Sequence, residues 1–594
     1  MASITPDDIV FHAPHEAPRA GLVCPVCRSR APAQPVLDVR GLAEPHPPLT
    51  LLRCGPCRSL FYDPSDIRDF SDLDQNRDDF WRFYVEAGGG VWETIWPILA
   101  ARDRGRLLDV GCGFGFALDF WQRSGRGEAV GVELADYGAI GSRLLGVTIH
   151  AEFLQDCAAL AGQRFDVVYA SEVIEHVPDP RAFAALAARW VADDGVLIMT
   201  TPAAAFVTPE NRSTTLLAAL APGFHGFLLS ASAFEEAARS AGFAHVETRV
   251  VNERQFVWAS RRPLSLTLDD ARLRGPYFAY MEGHFAREDD STPVWQGYAY
   301  RYLRDLVNTG RHAEAKRVCD RLGAAMARVY GSDVLDPGRT GRRLAACTTL
   351  TEAGRVAPFF LPCFYQLAGT LAQHVDGDAA AARRWYRGAE AAALAGGRIG
   401  AVFYLEAVAI VWSARLGAAL LALAQGDASG ADTLARLADE GQNCTATNAY
   451  ATVTPAQIET LLPQVAEGLA ARGQWVPAAA IAAAYARYVE RRYGTDITSL
   501  EGIAQALCDP EAARPADALF PKYFEGIAAL RDPARTADAK SRLVALVTVA
   551  EAVQGPYTAR ARDLAAKARH AAGLPRPKTS FSFKMDFGVV QRSR

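Results

Sequence analysis

The sequence predicts a multidomain chain: a small cysteine-bearing module, an α/β domain on a doubly wound, Rossmann-like parallel sheet, and an all-α, repeat-like region. Three observations carry this prediction. Two Cys-x-x-Cys pairs lie before residue 60, apolar strand-like runs alternate with helical runs over 106–201, and beyond 300 the chain becomes rich in Ala, Leu and Arg with few β-branched runs. A length of 594 residues exceeds what one core can hold. The expected divisions are 1–80 for the module, 81–262 for the α/β domain, 263–299 for a connector, 300–575 for the helical region and 576–594 for a tail.

Bulk properties exclude several classes. Half the residues are hydrophobic, 22% are charged and the net charge is −4, so nothing marks the whole chain as a nucleic-acid binder. Residues 1–80 hold 8 Arg, no Lys and 12 Asp plus Glu, which is neither a basic arm nor an export signal. The most apolar long stretch, Ile399 to Ala424, carries Glu406 and Arg415 and is diluted by Ala and Gly, as in a buried helix pair rather than a membrane span. A cytoplasmic setting is expected, where cysteines stay reduced. The 11 cysteines then need a reason other than disulfides.

Four of them have one. Cys24-Pro-Val-Cys27 and Cys54-Gly-Pro-Cys57 stand 26 residues apart, and each pair can aim two thiolates at one point. Together they supply a tetrahedral Zn²⁺ site. Four thiolates leave no open position for a water, so the metal is expected to staple a small, loop-rich domain rather than to catalyse. The Pro-rich spacer (Pro32, Pro35, Pro45, Pro47, Pro48) could not build a core alone.

In the α/β domain, Arg106–Val110 reads as a buried strand, Phe116–Arg123 as a helix and Ala129–Val132 as a second strand. Phe165–Ala170, the helix Arg181–Val191 and the strand Gly195–Thr200 continue the alternation. Ligands of such sheets sit beyond the carboxyl ends of the strands. The first such loop is Gly111-Cys-Gly-Phe-Gly115, which is GxGxG rather than the GxGxxG of dinucleotide sites. Asp109 precedes it, and a carboxylate there would repel a pyrophosphate but suits the ammonium of S-adenosylmethionine (SAM). Glu133 closes the second strand, where an acid can grip both hydroxyls of a ribose.

Taken with Phe165-Asp-Val-Val168, Glu172-Val-Ile-Glu-His-Val-Pro-Asp-Pro180, Asp194-Gly-Val-Leu-Ile198 and Ala241-Gly-Phe243, these motifs resemble the class I SAM-dependent methyltransferases over roughly 84–260. The resemblance implies SAM on Gly111, Gly113 and Gly115 with its ribose on Glu133. It also implies an acid for the adenine amino group, Glu152 by register, with Asp156 as its rival.

SAM's sulfonium is already a good leaving group, so the acceptor needs alignment and, if it is a hydroxyl or carbon acid, a base. His176, after the fourth strand, and His225, in Pro222-Gly-Phe-His-Gly-Phe, are the candidates, each with packing as the alternative role. His245 reads as structural. The turn after the fourth strand is Ala170-Ser-Glu-Val, without the Asn/Asp-Pro-Pro-aromatic pattern of nucleobase amino methylation. The acidic cysteine module lacks the basic and aromatic interleaving of a phosphate grip, so a nucleic-acid partner is not expected. A Cys-x-x-Cys module ahead of such a domain resembles bacterial sugar and glycan methyltransferases, although the extra α/β domain of the C-methylating ones is missing. O-methylation of a glycan or small hydroxylated metabolite is therefore the expected reaction. RNA methylation with the zinc module as a grip, and a non-catalytic SAM-binding scaffold, stay open.

In the helical region Gly310, Gly377, Gly426 and Gly473 open similar helix starts, 67, 49 and 47 residues apart. This spacing resembles a divergent stack of tetratricopeptide-like hairpins, with a concave surface for a protein or glycan partner or else a bare scaffold. The tail Phe581–Gly588 alternates apolar and polar residues and reads as an added strand or a frayed end.

Overall fold

The structure is a computed structural model. It describes residues 9–13, 15–41, 47–64, 80–209, 211, 213–400, 405–425, 427, 429–431, 433–434, 436, 455–471, 474–493, 523, 526, 536–552 and 558–573. The tail motif 581–588 and the glycines at 426 and 473 lie outside the described residues. Met1–Leu421 forms one compact unit, and a second takes in the helices from Pro455 onward.

The cysteine module is a sheet rather than a loop-rich staple. Strands β1 (Val10–Phe11), β2 (Ala33–Arg40), β3 (Pro48–Cys54) and β4 (Leu60–Asp63) pair antiparallel in that order. Leu37, Val39, Leu49 and Leu51 point inward and Thr50 bonds Asp38, so the alternation that the prolines obscured does bury one face. The fifth strand of this sheet arrives from far along the chain and is described below.

The α/β domain begins with α1 (Phe80–Phe83), a π-helical turn (Tyr84–Gly88) and α2 (Trp92–Ala101). It then runs β5 (Leu107–Val110), α3 (Phe116–Arg123), β6 (Ala129–Val132), α4 (Asp136–Gly141), β7 (Thr148–His150), β8 (Phe165–Ser171), α5 (Pro180–Ala188) and β9 (Val191–Pro202). There follow α6 (Ser213–Leu220), β10 (Phe227–Leu228), α7 (Ala231–Ser240), β11 (His245–Val251) and β12 (Arg254–Ser260). The sheet order is β11-β12-β9-β8-β5-β6-β7. Six of the seven strands run in one direction, as alternation with helices requires of β5 to β9, but β12 runs antiparallel between β9 and β11. The sheet is thus mixed where a wholly parallel one was expected. The cause is local: Asn252, left-handed at φ 55°, turns β11 straight back into β12 with no helix between them. His245 is exposed at the start of this edge hairpin.

Two expected helix bounds shift for clear reasons. Asp179 caps α5 by accepting from the amides of Arg181 and Ala182, with Pro180 in the first turn. The helix ends at Ala188 because β9 takes up the chain from Val191.

The stretch read as a connector contains α8 (Asp270–Phe285), and α9 (Pro293–Asn308) begins within it. After these come α10 (His312–Tyr330), α11 (Pro337–Ala345), α12 (Leu350–Val356), α13 (Leu361–His374), α14 (Ala379–Gly400) and α15 (Leu405–Ala424). In the apolar stretch at 399–424, the described residues belong to the end of α14 and to α15; among the described residues no helix is long and apolar enough to cross a membrane. The aromatic residues of α8 and α9 join the core of the α/β domain, with Tyr277, Tyr280, Trp295 and Tyr298 buried beside Phe116 and Phe120.

The described residues of the second unit from Pro455 onward include two pairs of helices. Pro455–Ala471 lies on Trp475–Tyr493, burying Ile458, Leu462 and Leu469 with Ile481, Tyr485 and Tyr488 at helical spacing. Thr536–Ala552 pairs with Thr558–Ala572, and Arg569 holds Glu551 with two hydrogen bonds of 2.7 and 2.8 Å.

Candidate active site

The loop after β5 is built from backbone that side chains would spoil. Gly111, Gly113 and Gly115 take φ of 68°, 56° and 90°. A Cβ on Gly111 would stand 2.6 Å from Val173, and one on Gly113 would stand 2.8 Å from the Tyr84 hydroxyl. Glu133 folds back onto this loop, accepting from the amide of Gly113 at 3.0 Å and of Ala135 at 2.9 Å. Asp109 is 2% exposed at the end of β5. Burial, and then the charge of Glu133, pushes its carboxyl up to about 8, and burial raises Glu133 as well. A buried acid and a half-buried one, both with raised pKa values, flank one glycine turn, an arrangement that favours a cationic, hydroxyl-bearing ligand.

Val132 and His150 pair at the ends of β6 and β7, so the loops that follow are neighbours. Glu152 and Asp156 are both exposed after β7. Leu134 and Phe153, on these same two loops, are 42% and 52% exposed, and the sequence reading missed them. It also missed Tyr84, which stacks on Tyr137 at 5.1 Å and on Phe116 at 5.9 Å. Aromatic residues ahead of the first strand carry no local signal for this position.

Beyond β8 the two predicted histidines come together, with ring centroids 4.7 Å apart. The Nδ1 of His176 meets the carbonyl of Phe224 at 3.0 Å and the Nδ1 of His225 that of Ala219 at 2.9 Å. In these tautomers Nδ1 carries the proton and Nε2 is the basic nitrogen. Burial lowers His176 to about 4 and depresses His225 too, so both rings are neutral at pH 7. Glu175, fully buried, joins them, its Oε1 3.9 Å from Nε2 of His225. Neither of its carboxylate oxygens has a hydrogen-bond partner among the described residues, and burial raises its pKa. Ligand atoms of Glu175, His176 and His225 lie within 4.8 Å of one another, a set that could take up a proton or hold a cation. The sequence reading passed over Glu175, whose neighbour His176 drew the assignment.

The cysteines converge in the same way. The four Sγ atoms lie within 4.8 Å of one another, with Cys24 to Cys57 at 3.7 Å and Cys27 to Cys54 at 3.6 Å. A tetrahedron of thiolates with Zn–S bonds near 2.3 Å has edges of about 3.8 Å, so the donor set fits Zn²⁺. The two knuckles are twins: the amide of Arg28 bonds the carbonyl of Cys24 and that of Arg58 the carbonyl of Cys54, and both arginines have φ 61°. A hydrogen bond from Cys24 lowers Cys57 to about 4, while burial raises Cys54 to about 11.

The module is stitched to the catalytic side. β10 pairs with β4, Phe227 opposite Phe61. The hydroxyl of Ser230 donates to the carbonyl of Cys57 at 2.6 Å, and Arg28 meets Asp179 at 2.7 Å. His225 stands two residues before β10, and the amide of Gly226 bonds the carbonyl of Glu175.

Residues 91–248 match a methyltransferase-domain family and form a methyltransferase domain of the class I, SAM-dependent type. A ubiquinone biosynthesis O-methyltransferase of Neisseria meningitidis is 34% identical over 103 residues, 16% of this chain and 43% of that protein. The enzyme of the same name from Cereibacter sphaeroides is 36% identical over 101 residues, 16% and 40% of the two chains. The chain thus spans less than half the length of these curated relatives. Among solved structures, an O-methyltransferase family protein from Burkholderia thailandensis aligns over 32% of this chain and 58% of its own, at 20% identity and a TM-score of 0.24.

Proposed function

We propose that the protein transfers the methyl group of SAM to a hydroxyl of a small molecule, a sugar or glycan included. The observation that carries the cofactor half is the pair of acids around the glycine turn: Asp109 faces the ammonium and Glu133 the ribose, with Glu152 on the adenine side. The O-methyltransferase names of the curated relatives support a hydroxyl acceptor.

On the acceptor side His176 is the base and Glu175 its partner. An acceptor hydroxyl aligned with the methyl–sulfur axis loses its proton to Nε2 of His176 as the new C–O bond forms and the C–S bond breaks. The imidazolium so produced is stabilised by Glu175, which gains in that step the partner its buried oxygens lack, while His225 packs against the His176 ring. The four cysteines would hold Zn²⁺, which supplies a cross-link with no vacant position for substrate. The paired helices beyond Pro455 serve a protein or glycan partner; what supports this is their arrangement as hairpins, the unit from which tetratricopeptide-like stacks grow.

The test is incubation with SAM labelled on its methyl group and cell fractions separated into protein, RNA, glycan and small metabolites. Label is expected in a base-stable ether of the glycan or metabolite pool. Label confined to RNA would replace this acceptor with a nucleic acid.

A further inference from the structure

The segment ahead of β5 lies over the glycine turn, and it is held there by the helical region rather than by the sheet. Arg301, on α9, is 1% exposed and spends its guanidinium on backbone carbonyls: Nε donates to Gly89 at 2.8 Å, Nη2 to Tyr84 at 3.1 Å, and Nη1 to Val85, and to Glu86 at 3.4 Å. Its plane also faces the Phe116 ring, 5.4 Å from the centroid. Gly297 admits this approach, since a Cβ there would stand 2.2 Å from the Val85 carbonyl.

A second set of bonds holds the same segment from another side. Glu86, fully buried, accepts from Arg82 at 2.6 Å and from the amide of Phe359 at 2.8 Å. Arg82 in turn donates to the carbonyl of Gly354 at 2.7 Å and to Tyr330. A third contact reaches the other flank of the turn. Asp119 on α3, 1% exposed, accepts from His284 at 2.7 Å and Tyr280 at 2.6 Å, and His284 stacks on Tyr298 with centroids 3.8 Å apart.

Buried hydrogen bonds to charged groups are the stronger kind, and losing one partner leaves the others unsatisfied. A surface module would not anchor itself through the main chain of a cofactor loop's cover. We propose that α9 and the segment 354–359 clamp residues 82–89 as a fixed cover on the cofactor, α8 holding α3 beside it, with Tyr84 touching the cofactor and Arg301 as the positioning residue. The inference rests on the SAM reading above. It makes the first helices of the helical region part of the cofactor site, so that cofactor affinity, rather than partner binding alone, depends on them.

The test is calorimetric titration of the full chain with S-adenosylhomocysteine (SAH), at a temperature where near-ultraviolet dichroism shows each variant folded, together with hydrogen exchange over 82–90. Arg301→Met and Tyr84→Ala are expected to raise Kd by about tenfold or more, and Arg301→Lys, which keeps the charge but not the fork, by less. Exchange over 82–90 is expected to quicken in both Arg301 variants. A purely structural role would lower Tm and leave the Kd of the folded protein unchanged. Variants binding SAH within about twofold of the wild type would overturn the clamp. If Arg301→Met does not fold, Arg301→Lys and Tyr84→Ala decide. Wild-type protein that binds no SAH overturns the cofactor reading itself, and the clamp with it.

Discussion

Glu133 accepts a hydrogen bond from the amide of Gly113 at 3.0 Å, so the acid that ends the second strand also shapes the turn that follows the first. The same carboxylate is proposed to hold the ribose, and it would then act on both the loop and the ligand. Glu133→Gln keeps the shape but loses the charge. It is expected to weaken SAH binding by about 1.5–3 kcal/mol, roughly tenfold to a hundredfold, by calorimetry. Unchanged affinity would remove Glu133 from the site.

Asp109 yields a prediction in protons. In the unliganded protein its carboxyl is raised to about 8, first by burial and then by Glu133. A ligand ammonium beside it favours the ionised form, so at pH 7 binding should release a proton and affinity should rise as pH climbs from 6 to 8. The observable is a binding enthalpy that changes with the ionisation enthalpy of the buffer, an effect that Asp109→Asn abolishes. Enthalpy independent of buffer in the wild type would separate Asp109 from the ammonium.

The histidine pair sets an acid limit on stability. Burial lowers His176 to about 4 and depresses His225, whereas the unfolded chain protonates its imidazoles near 6.5. Between those values the unfolded state binds more protons, so the pair's stability is complete above about 6.5 and is lost as pH falls toward 4. Each histidine adds about 1.4 kcal/mol per pH unit to the slope inside that window. Urea melts of wild type and His176→Gln at pH 4.5–7 measure it, and equal slopes would mean that His176 takes up its proton in the fold as readily as in the unfolded chain. In turnover, His176→Gln is expected to cut the rate by about 10²–10⁴-fold with SAH affinity unchanged.

What was legible in the sequence is what sits close along the chain. The glycine turn, Asp109, Glu133 and the Cys-x-x-Cys pairs are local patterns, each carried by residues that stand close together in the chain. The histidines were legible as single residues, and it is folding that brings them to 4.7 Å with Glu175 between strand end and helix. The parts that escaped notice are long-range or lack a period. β10 has two residues, too few for an alternation to show. α8 buries Tyr277, Tyr280 and His284, which count as polar in a periodicity reading, so it passed for a connector. Arg301 reads as a surface charge until the carbonyls of residues 84–89 surround it.

The last prediction joins the metal to the chemistry. The second knuckle runs from Cys54 through Cys57 directly into β4, β4 pairs with β10, and β10 follows His225. The Sγ atoms stand 3.6 and 3.7 Å apart in the two cross pairs, and thiolates at that distance repel one another unless a cation lies between them. Chelation or Cys57→Ser should therefore lower stability by on the order of several kcal/mol and loosen β4. Because that disturbance enters the acceptor side through β10, turnover and acceptor KM should suffer while SAH still binds to the glycine turn. Metal analysis is expected to give about one Zn²⁺ per chain, four thiolates making one tetrahedral site. Chelated protein that stays folded and turns over at the full rate would show that the sheet alone positions His225.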